Sequence, residues 1–465
     1  MDSWRDNLPA LQERLIGPSF VADAPGYAEE VAVFNEVVRH RPAVVVGAAN
    51  AADVSEAVRF ASRHSMNIAV LNTGHGPTIA ACPKTLMITT RRMSRIDVDT
   101  AKSTARVQAG VRFGEFVAAA APHGLAPLAG SSPGVGVVGY TLGGGASPTL
   151  GRRFGWAADH VTAIEVVTAD GSQRRVTPES EADLFGALLG GKSNFGVVTA
   201  MECALFPVTG LYAGALFYSG EHAREVVNAY RVFTKTAPED ISTGVAILNL
   251  PPLPGLPPFM QGKLVVSVRI SHVGDALTGD RLIEPLRRAA PLLADTVADI
   301  PYTAFASISA DPTDPAAAVE RFGLLRELTE ETVEAILGVA GPAAEGSINI
   351  VDVRQLGGAF SRPAAFANAV GGRDAAFAYF ALTVVPPGRN IADYGDAGGS
   401  LDAALAPWRL ALGSPCFQGP ADATVLGTRK AFDPDTYAAL QAAKAKYDPH
   451  NNFRVNHNIP PRRGV

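Results

Sequence analysis

Cysteine is scarce. The 465-residue chain has three, Cys82, Cys203 and Cys416, far apart in sequence. So sparse and odd a count does not read as a disulfide framework, and without CxxC or Cys/His spacing it does not read as structural zinc. His450 and His457 stand among asparagines with no carboxylates at ligand spacing, which again points away from a metal. Charge is modest too. Forty Lys+Arg against 45 Asp+Glu leave a net −5, so neither nucleic acid nor an anionic membrane is expected as a partner. No apolar run reaches the roughly 18 residues needed to cross a bilayer. Residues 1–7 carry charges and no apolar stretch, so no signal peptide is expected and the location is read as cytoplasmic. No GxSxG elbow follows a strand, which removes support for Ser/His/Asp hydrolysis.

What is present is ordinary for a globular protein: 47% hydrophobic and 18% charged residues. The length exceeds what one core usually holds, so two domains, or one with a large insertion, are expected. Residues 42–71 read as a βαβ unit. A β-branched strand at 43–46 is followed by a helix whose apolar face is Val54, Ala57, Val58 and Ala61. Asp53 is the expected cap, with Glu56 completing a capping-box pattern. The second strand runs into Asn72-Thr73-Gly74-His75-Gly76, where an α/β unit places ligand-binding residues. Short strands follow at 86–89, 96–98 and 105–108, then a helix at 113–120. A hairpin at 161–177 turns at Asp170-Gly171, read as a primed turn, and a helix covers 180–189.

The texture changes after Pro207. Strand-like runs at 211–218, 243–250, 263–270, 347–353 and 377–385 alternate with alanine-rich helical segments, the pattern of an antiparallel sheet with helices on one face. The proline-rich stretch 251–258 is read as a loop between strands. From Asp433 a helix with Tyr437, Leu440, Ala443 and Tyr447 on one side leads into an asparagine-rich tail at 447–460.

Two further stretches are glycine-rich, 130–145 and 190–198. Gly134-Val135-Gly136-Val137-Val138-Gly139 matches GxGxxG by letter, and Asp159 lies where a dinucleotide fold wants its ribose-binding acid. Context argues against that reading. Pro127 and Pro133 break the approach, and Gly143-Gly144-Gly145 with Pro148 break the exit, where the fingerprint needs a strand and then a helix. A loop that holds a pyrophosphate through backbone N–H groups is the better physical account.

Taken in this order, the His75 loop, the two glycine-rich stretches and the tail resemble the FAD-linked oxidases of the vanillyl-alcohol oxidase superfamily, most closely the berberine bridge enzyme-like group. The resemblance implies an α+β fold. A PCMH-type FAD-binding domain would comprise residues 1–207, closed by a returning C-terminal segment at 420–465. A substrate domain at 208–419 would carry the antiparallel sheet. It implies FAD bonded covalently through His75. Asn72, Thr73, Gly74, Gly76, Ser131, Ser132, Gly136, Gly139, Gly143, Gly145, Asn194, Gly196, Val198, Asn456 and Asn458 would surround the cofactor. Many members carry a second, cysteinyl flavin bond, and Ser132 stands at that position, so a single link is expected. Val135 falls at the oxygen-gate position, where a small residue leaves the flavin open to O2.

For proton transfer two positions compete. Asp352 lies in an otherwise apolar strand, where an unpaired carboxylate would have a raised pKa, although Arg354 shares its strand face and can pair with it. Tyr379 sits where plant members hold a catalytic glutamate. The expected activity is oxidation of a small molecule (alcohol, sugar or secondary metabolite), with O2 as acceptor. The absence of a basic cluster in residues 208–419 favours a neutral substrate. A flavin dehydrogenase with another acceptor, a pyridine-nucleotide dehydrogenase and a non-catalytic flavin protein are the alternatives.

Overall fold

The computed structural model describes residues 4–462 apart from 77, 253–254, 345, 347 and 396. Part of the 251–258 loop and the first residue of the 347–353 strand therefore lie outside the described residues.

Strands β1 (Ser19–Val21), β2 (Val44–Gly47), β3 (Asn67–Leu71) and β4 (Thr85–Thr89) form a four-stranded sheet in the order β1-β2-β4-β3. β2, β4 and β3 run parallel, with β1 antiparallel at the edge. The β-branched run of β2 is wholly buried, as a parallel strand covered on both faces should be. The crossover helix Ala51–Arg63 buries Val54, Ala57, Val58 and Ala61 as the pattern predicts. Its cap differs. Asn50 has the extended cap conformation, and its side chain accepts the Asp53 N–H at 2.9 Å. Asp53 is buried one turn in, where its carboxylate accepts the backbone N–H groups of Ile16, Gly17 and Ala49. It fastens the chain's start to the helix and does not cap it.

Strands β5 (Ile96–Asp99), β6 (Thr104–Gln108), β7 (Val161–Val167), β8 (Gln173–Val176) and β9 (Val197–Ala204) form an antiparallel sheet in the order β5-β6-β9-β7-β8. The β7–β8 connection is not a primed two-residue turn. Gly171 N–H bonds Thr168 O, and only Gly171 takes a positive φ, +76°. That is a three-residue loop, a turn over Ala169-Asp170 with glycine in the left-handed position.

The third sheet holds β10 (Gly210–Ser219), β11 (Ile241–Asn249), β12 (Leu264–His272), β13 (Leu292–Asp295), β14 (Ala298–Pro301), β15 (Ala318–Leu325), β16 (Ile350–Gln355) and β17 (Phe377–Val384). Its order is β13-β10-β12-β11-β16-β17-β15, with β14 also on β10. Helices Ala223–Thr234, Ala276–Arg287, Glu330–Ala340 and Gly399–Leu405 bury their apolar sides against one face, among them Val226, Tyr230, Ile283, Val333, Ile336 and Leu401. The expected antiparallel sheet with helices on one side is there. Among the described residues, no helix is long and apolar enough to cross a membrane.

The last helix, Pro434–Tyr447, buries Tyr437, Leu440, Ala443 and Tyr447 as expected, and also Lys444, which is 0% exposed. Lys444 Nζ lies 2.7 Å from the equally buried Asp448 carboxylate and donates to the carbonyls of Asn194 (2.6 Å) and Phe453 (2.9 Å). Asp448 in turn accepts the N–H groups of Asn452 and Phe453. Burial pushes the Lys444 ammonium down to about 8, against the pull of Asp448. Asn452 continues the anchorage, its carbonyl taking the Ile68 N–H at the start of β3. Replacing Lys444 with Met should destabilise the fold by about 3–5 kcal/mol, because it strands a buried carboxylate. Removing Asp448 as well should recover only part of this, since four backbone groups still lose their partners. Denaturant melts of the two variants test both statements.

Candidate active site

β3 delivers its C-terminal end into the loop 72–76. Gly74 has φ +71°, and a Cβ there would lie 2.5 Å from Val33 Cβ, so both conformation and space demand glycine. The loop is zipped to Phe34 and Asn35, whose N–H groups bond Thr73 O and Gly74 O. Phe34 stacks on the His75 ring, centroids 3.9 Å apart and planes 9° from parallel. His75 Nδ1 lies 2.9 Å from Thr73 Oγ1, whereas Nε2 is buried without a partner. Burial, reinforced by Arg112, pushes the imidazole down to about 4, so it is neutral at physiological pH.

The segment 130–145 lies alongside. Gly134 passes close enough that a Cβ there would touch the His75 ring at 3.6 Å. Gly136 meets Asn72, whose Nδ2 is fixed on Ala109 O at 2.8 Å. A six-residue helix, Val137–Leu142, does open inside this segment, with Gly136 at its cap. No strand precedes it among the described residues, so the dinucleotide fingerprint fails at its entrance rather than, as expected, at both ends. Gly139 and Gly76 face open space. Gly143 packs on Lys192 and Cys416, and Gly145 on Ala157 and Tyr140. Ser132 is buried, with its hydroxyl 3.4 Å from Gly134 N.

Three of the expected cofactor contacts, Asn194, Gly196 and Val198, are instead occupied by protein, and Asn456 is so through its Nδ2 alone. Asn194 donates to Gly191 O and His457 O and accepts from Ile459 N, so its whole amide holds the tail. Gly196 is pressed against the Val167 carbonyl, and Val198 is buried in β9. Asn456 donates to Ser193 and to Phe453 O.

Asn72 Oδ1, Asn456 Oδ1, Asn458 Oδ1, Tyr140 OH and His75 Nε2 are all buried without a bonding partner. Buried polar atoms are rarely left so. These five border the loop, the glycine-rich segment and the tail, which touch one another through Asn72–Gly136, Gly143–Lys192 and Ser193–Asn456. A large ligand rich in donors and acceptors, with open room over Gly139, satisfies them. FAD fits that description.

Facing this cradle is the helix-free side of the eight-stranded sheet. A cavity, partly open to solvent, lies between Ser131 and residues 146–149 on one side and the sheet on the other. Asp352 lines it but is not a base of raised pKa. Burial opposes its ionisation, yet Arg354 and Arg269 outweigh that and hold its carboxyl below the usual carboxylate range. Arg269 Nη1 is 2.6 Å and Arg354 Nε 2.9 Å from Asp352 Oδ2. Tyr379 is not in the cavity. It pairs with Val353, one residue out of phase with Asp352, and so points into the helix-covered core. There it donates to Asp402 at 2.5 Å, and burial and that carboxylate raise its pKa.

Sequence reading missed Arg269. Its signal was the alternation Ser267, Arg269, Ser271 among valines and isoleucine in β12, which marks a polar sheet face. It also missed Glu320, on the same sheet face at the Ile350–Leu382–Glu320 register, with no ion pair among the described residues. Burial pushes the Glu320 carboxyl up to about 7. The expected absence of a basic cluster is overturned, because Arg269 and Arg354 meet inside the cavity.

The family models agree with this architecture. The one described as FAD binding domain matches residues 42–177, and the one described as berberine and berberine like matches 424–460. The chain is 27% identical over 439 residues to (R)-6-hydroxynicotine oxidase of Paenarthrobacter nicotinovorans, covering 90% of this chain and 92% of that one. An FAD-linked oxidoreductase of Dictyostelium discoideum is 25% identical over 440 residues, 92% of this chain and 91% of its own. The crystal structure of 6-hydroxy-D-nicotine oxidase from Arthrobacter nicotinovorans superposes with a TM-score of 0.79 at 25% identity, covering 96% of this chain and 98% of that one. Berberine bridge enzyme from Eschscholzia californica shares the fold, with a TM-score of 0.83 at 17% identity over 98% of this chain and 99% of its own. A loop histidine in a glycine cradle and a returning tail coincide with the two stretches that match the FAD-binding and berberine-like models, and the chain is similar over nine-tenths of its length to FAD-linked oxidoreductases: it is an FAD-dependent oxidoreductase.

Proposed function

We propose that this protein is an oxidase whose FAD is bonded through His75 Nε2 and whose substrate is a small organic molecule bound between the cradle and the eight-stranded sheet. Residues 1–207 with 420–465 hold the cofactor, and 208–419 shape the substrate space. The observation that carries the reading is the neutral, buried His75 ring. Its Nδ1 is engaged by Thr73 and its Nε2 is left open toward the cradle. A neutral imidazole nitrogen is a nucleophile, whereas a protonated one is not. Ser132, beside Gly134, has no thiol to form a second link, which supports single attachment.

When bound, the flavin accepts hydride from substrate carbon and passes the electrons to O2, the redox chemistry belonging to the cofactor. The chain's part is placement. Phe34 stacking and the Thr73 contact fix the plane of His75. The unpartnered amide oxygens of Asn72, Asn456 and Asn458 receive donors. Asp352, held ionised by Arg269 and Arg354, positions those two side chains rather than serving as a base of raised pKa. Partly buried Val135, packed against the core beside this segment, supports O2 access from that side.

Two measurements test this. Acid-precipitated protein should remain yellow, and the His75→Ala protein should release its flavin to the supernatant. A yellow His75→Ala pellet would place the bond elsewhere. Tyr379→Phe should leave the rate of flavin reduction unchanged while lowering stability by about 1–2 kcal/mol through loss of the Asp402 bond. A large drop in reduction rate without a stability change would return Tyr379 to the reaction.

A further inference from the structure

The sheet side of the cavity holds more positive than negative charge, on the largely buried side chains of Arg269 and Arg354. Arg269 and Arg354 converge on one oxygen of Asp352, Oδ2, while its Oδ1 stays buried and unpartnered. Arginine–carboxylate pairs are frequently bidentate, and here two arginines share one oxygen while the other is left free. The guanidinium nitrogens not engaged with Asp352 have no bonded acceptor among the described residues. Asp311 is near enough for its charge to be felt at both Arg354 and His75, yet it makes no ion pair with Arg354 among the described residues. Two guanidinium groups against one directly paired carboxylate leave a net positive charge in the largely buried cavity wall, which an anion would offset.

The sheet register makes room for such an anion. Gly244 in β11 lies opposite Arg269 on one neighbouring strand and Arg354 on the other. Having no side chain, it leaves space beside the Arg354 stem and Asp352 Oδ1, which would lie 3.5 and 3.4 Å from a Cβ placed there. The lining beyond them is apolar, with Phe305, Ile308, Leu356 and Phe360, and Ser131 on the cradle side. Arg354 is also close enough to interact electrostatically with Tyr140 of the glycine-rich segment, so this charge lies toward the cofactor side. Guanidinium groups bind carboxylates through paired, directional hydrogen bonds.

Resting on the reading of this cavity as the substrate site, we propose that Arg269 and Arg354 form an anion-recognition site. The substrate is then an apolar carboxylic acid, bound as its carboxylate with its hydrocarbon body against Phe305, Ile308 and Phe360. Asp352 is the positioning residue that holds the two arginines side by side and moderates their charge. It therefore opposes the anion even as it orders the site.

The test titrates the yellow holoenzyme with benzoate, benzamide and benzylammonium, following the flavin absorbance and, independently, the heat of binding. Benzoate should bind at least about tenfold more tightly than either comparison compound. Arg354→Met should weaken benzoate binding by about tenfold or more while leaving benzamide unaffected. Asp352→Asn should shift benzoate binding the other way, making it tighter. This opposite sign is a response that a merely structural triad does not give, and it keeps the proposal testable if Arg354→Met fails to fold. Equal binding of the three compounds, a preference for benzylammonium, or weaker benzoate binding in Asp352→Asn would overturn the proposal. So would a folded Arg354→Met protein that has lost its flavin, since the arginine would then serve the cofactor. Carboxylate binding with no oxidation of any bound acid would leave this inference standing and refute the oxidase reading, whereas oxidation confined to neutral or cationic compounds would do the reverse.

Discussion

The buried Lys444–Asp448 pair is the constraint on which the cofactor cradle depends. Two charges taken out of water are tolerable only when every remaining lone pair and proton finds a partner. Here the partners are the backbone of Asn194, Asn452 and Phe453, which belong to two separate stretches of chain. The pair therefore draws the tail against the 190–198 segment. Asn194 then takes up His457 O and Ile459 N, and Asn456 and Asn458 come to face the cradle. A helix end, a glycine-rich bend and a tail with little secondary structure are fixed by one ionic contact.

The cradle and the sheet are joined by a second buried cation. Arg152, 4% exposed and just beyond the glycine-rich segment, donates to the carbonyls of Ile241, Ala237, Pro238 and Leu356. Burial lowers its pKa, but it meets carbonyl dipoles rather than a carboxylate. Its role is to hold the start of β11 and the end of β16 at a fixed distance from the cradle. That distance sets the depth of the cavity between them. With that spacing fixed, the unpartnered oxygens on the cradle side and the arginine pair on the sheet side confront one another across it.

What was legible in the sequence follows from range. The β-branched run of β2, the amphipathic helix after it, the helix Phe113–Ala120 and the strands β10, β11, β12, β16 and β17 are local patterns, and each formed at or within a few residues of where the pattern placed it, whereas β15 was not among those expected. The loop histidine was legible because glycine on both sides is a local feature. Edge strands β13 and β14 were not seen, being four residues each and largely exposed, with little alternation to read. Asp53 was misread because its three N–H partners all lie before the helix, two of them 36 and 37 residues away in sequence. Asp352 was read as a base because the cation that completes its pairing, Arg269, lies 83 residues away in sequence. Lys444 carried no signal of its burial for the same reason, since its partners Asn194 and Phe453 lie outside the helix. Buried charge is defined by its partners, and partners distant in sequence leave no local trace.

The placement of Asp352 and Tyr379 on opposite faces of adjacent strands has an evolutionary consequence. In β16 and β17 the even positions 352, 354, 378 and 380 line one face, and the odd positions 351, 353, 379 and 381 pack on helices. Parity thus separates chemistry from packing. Substitution at an even position re-tunes what the cavity accepts without touching the hydrophobic layer. A one-residue insertion or deletion within either strand would instead exchange the two sets, putting Asp352 among Val245, Val333 and Ile336 and a valine in the arginine site. Divergence of specificity on this scaffold is therefore channelled into point changes along the strands. Changes of length are left to the connections, such as the proline-rich stretch between β11 and β12.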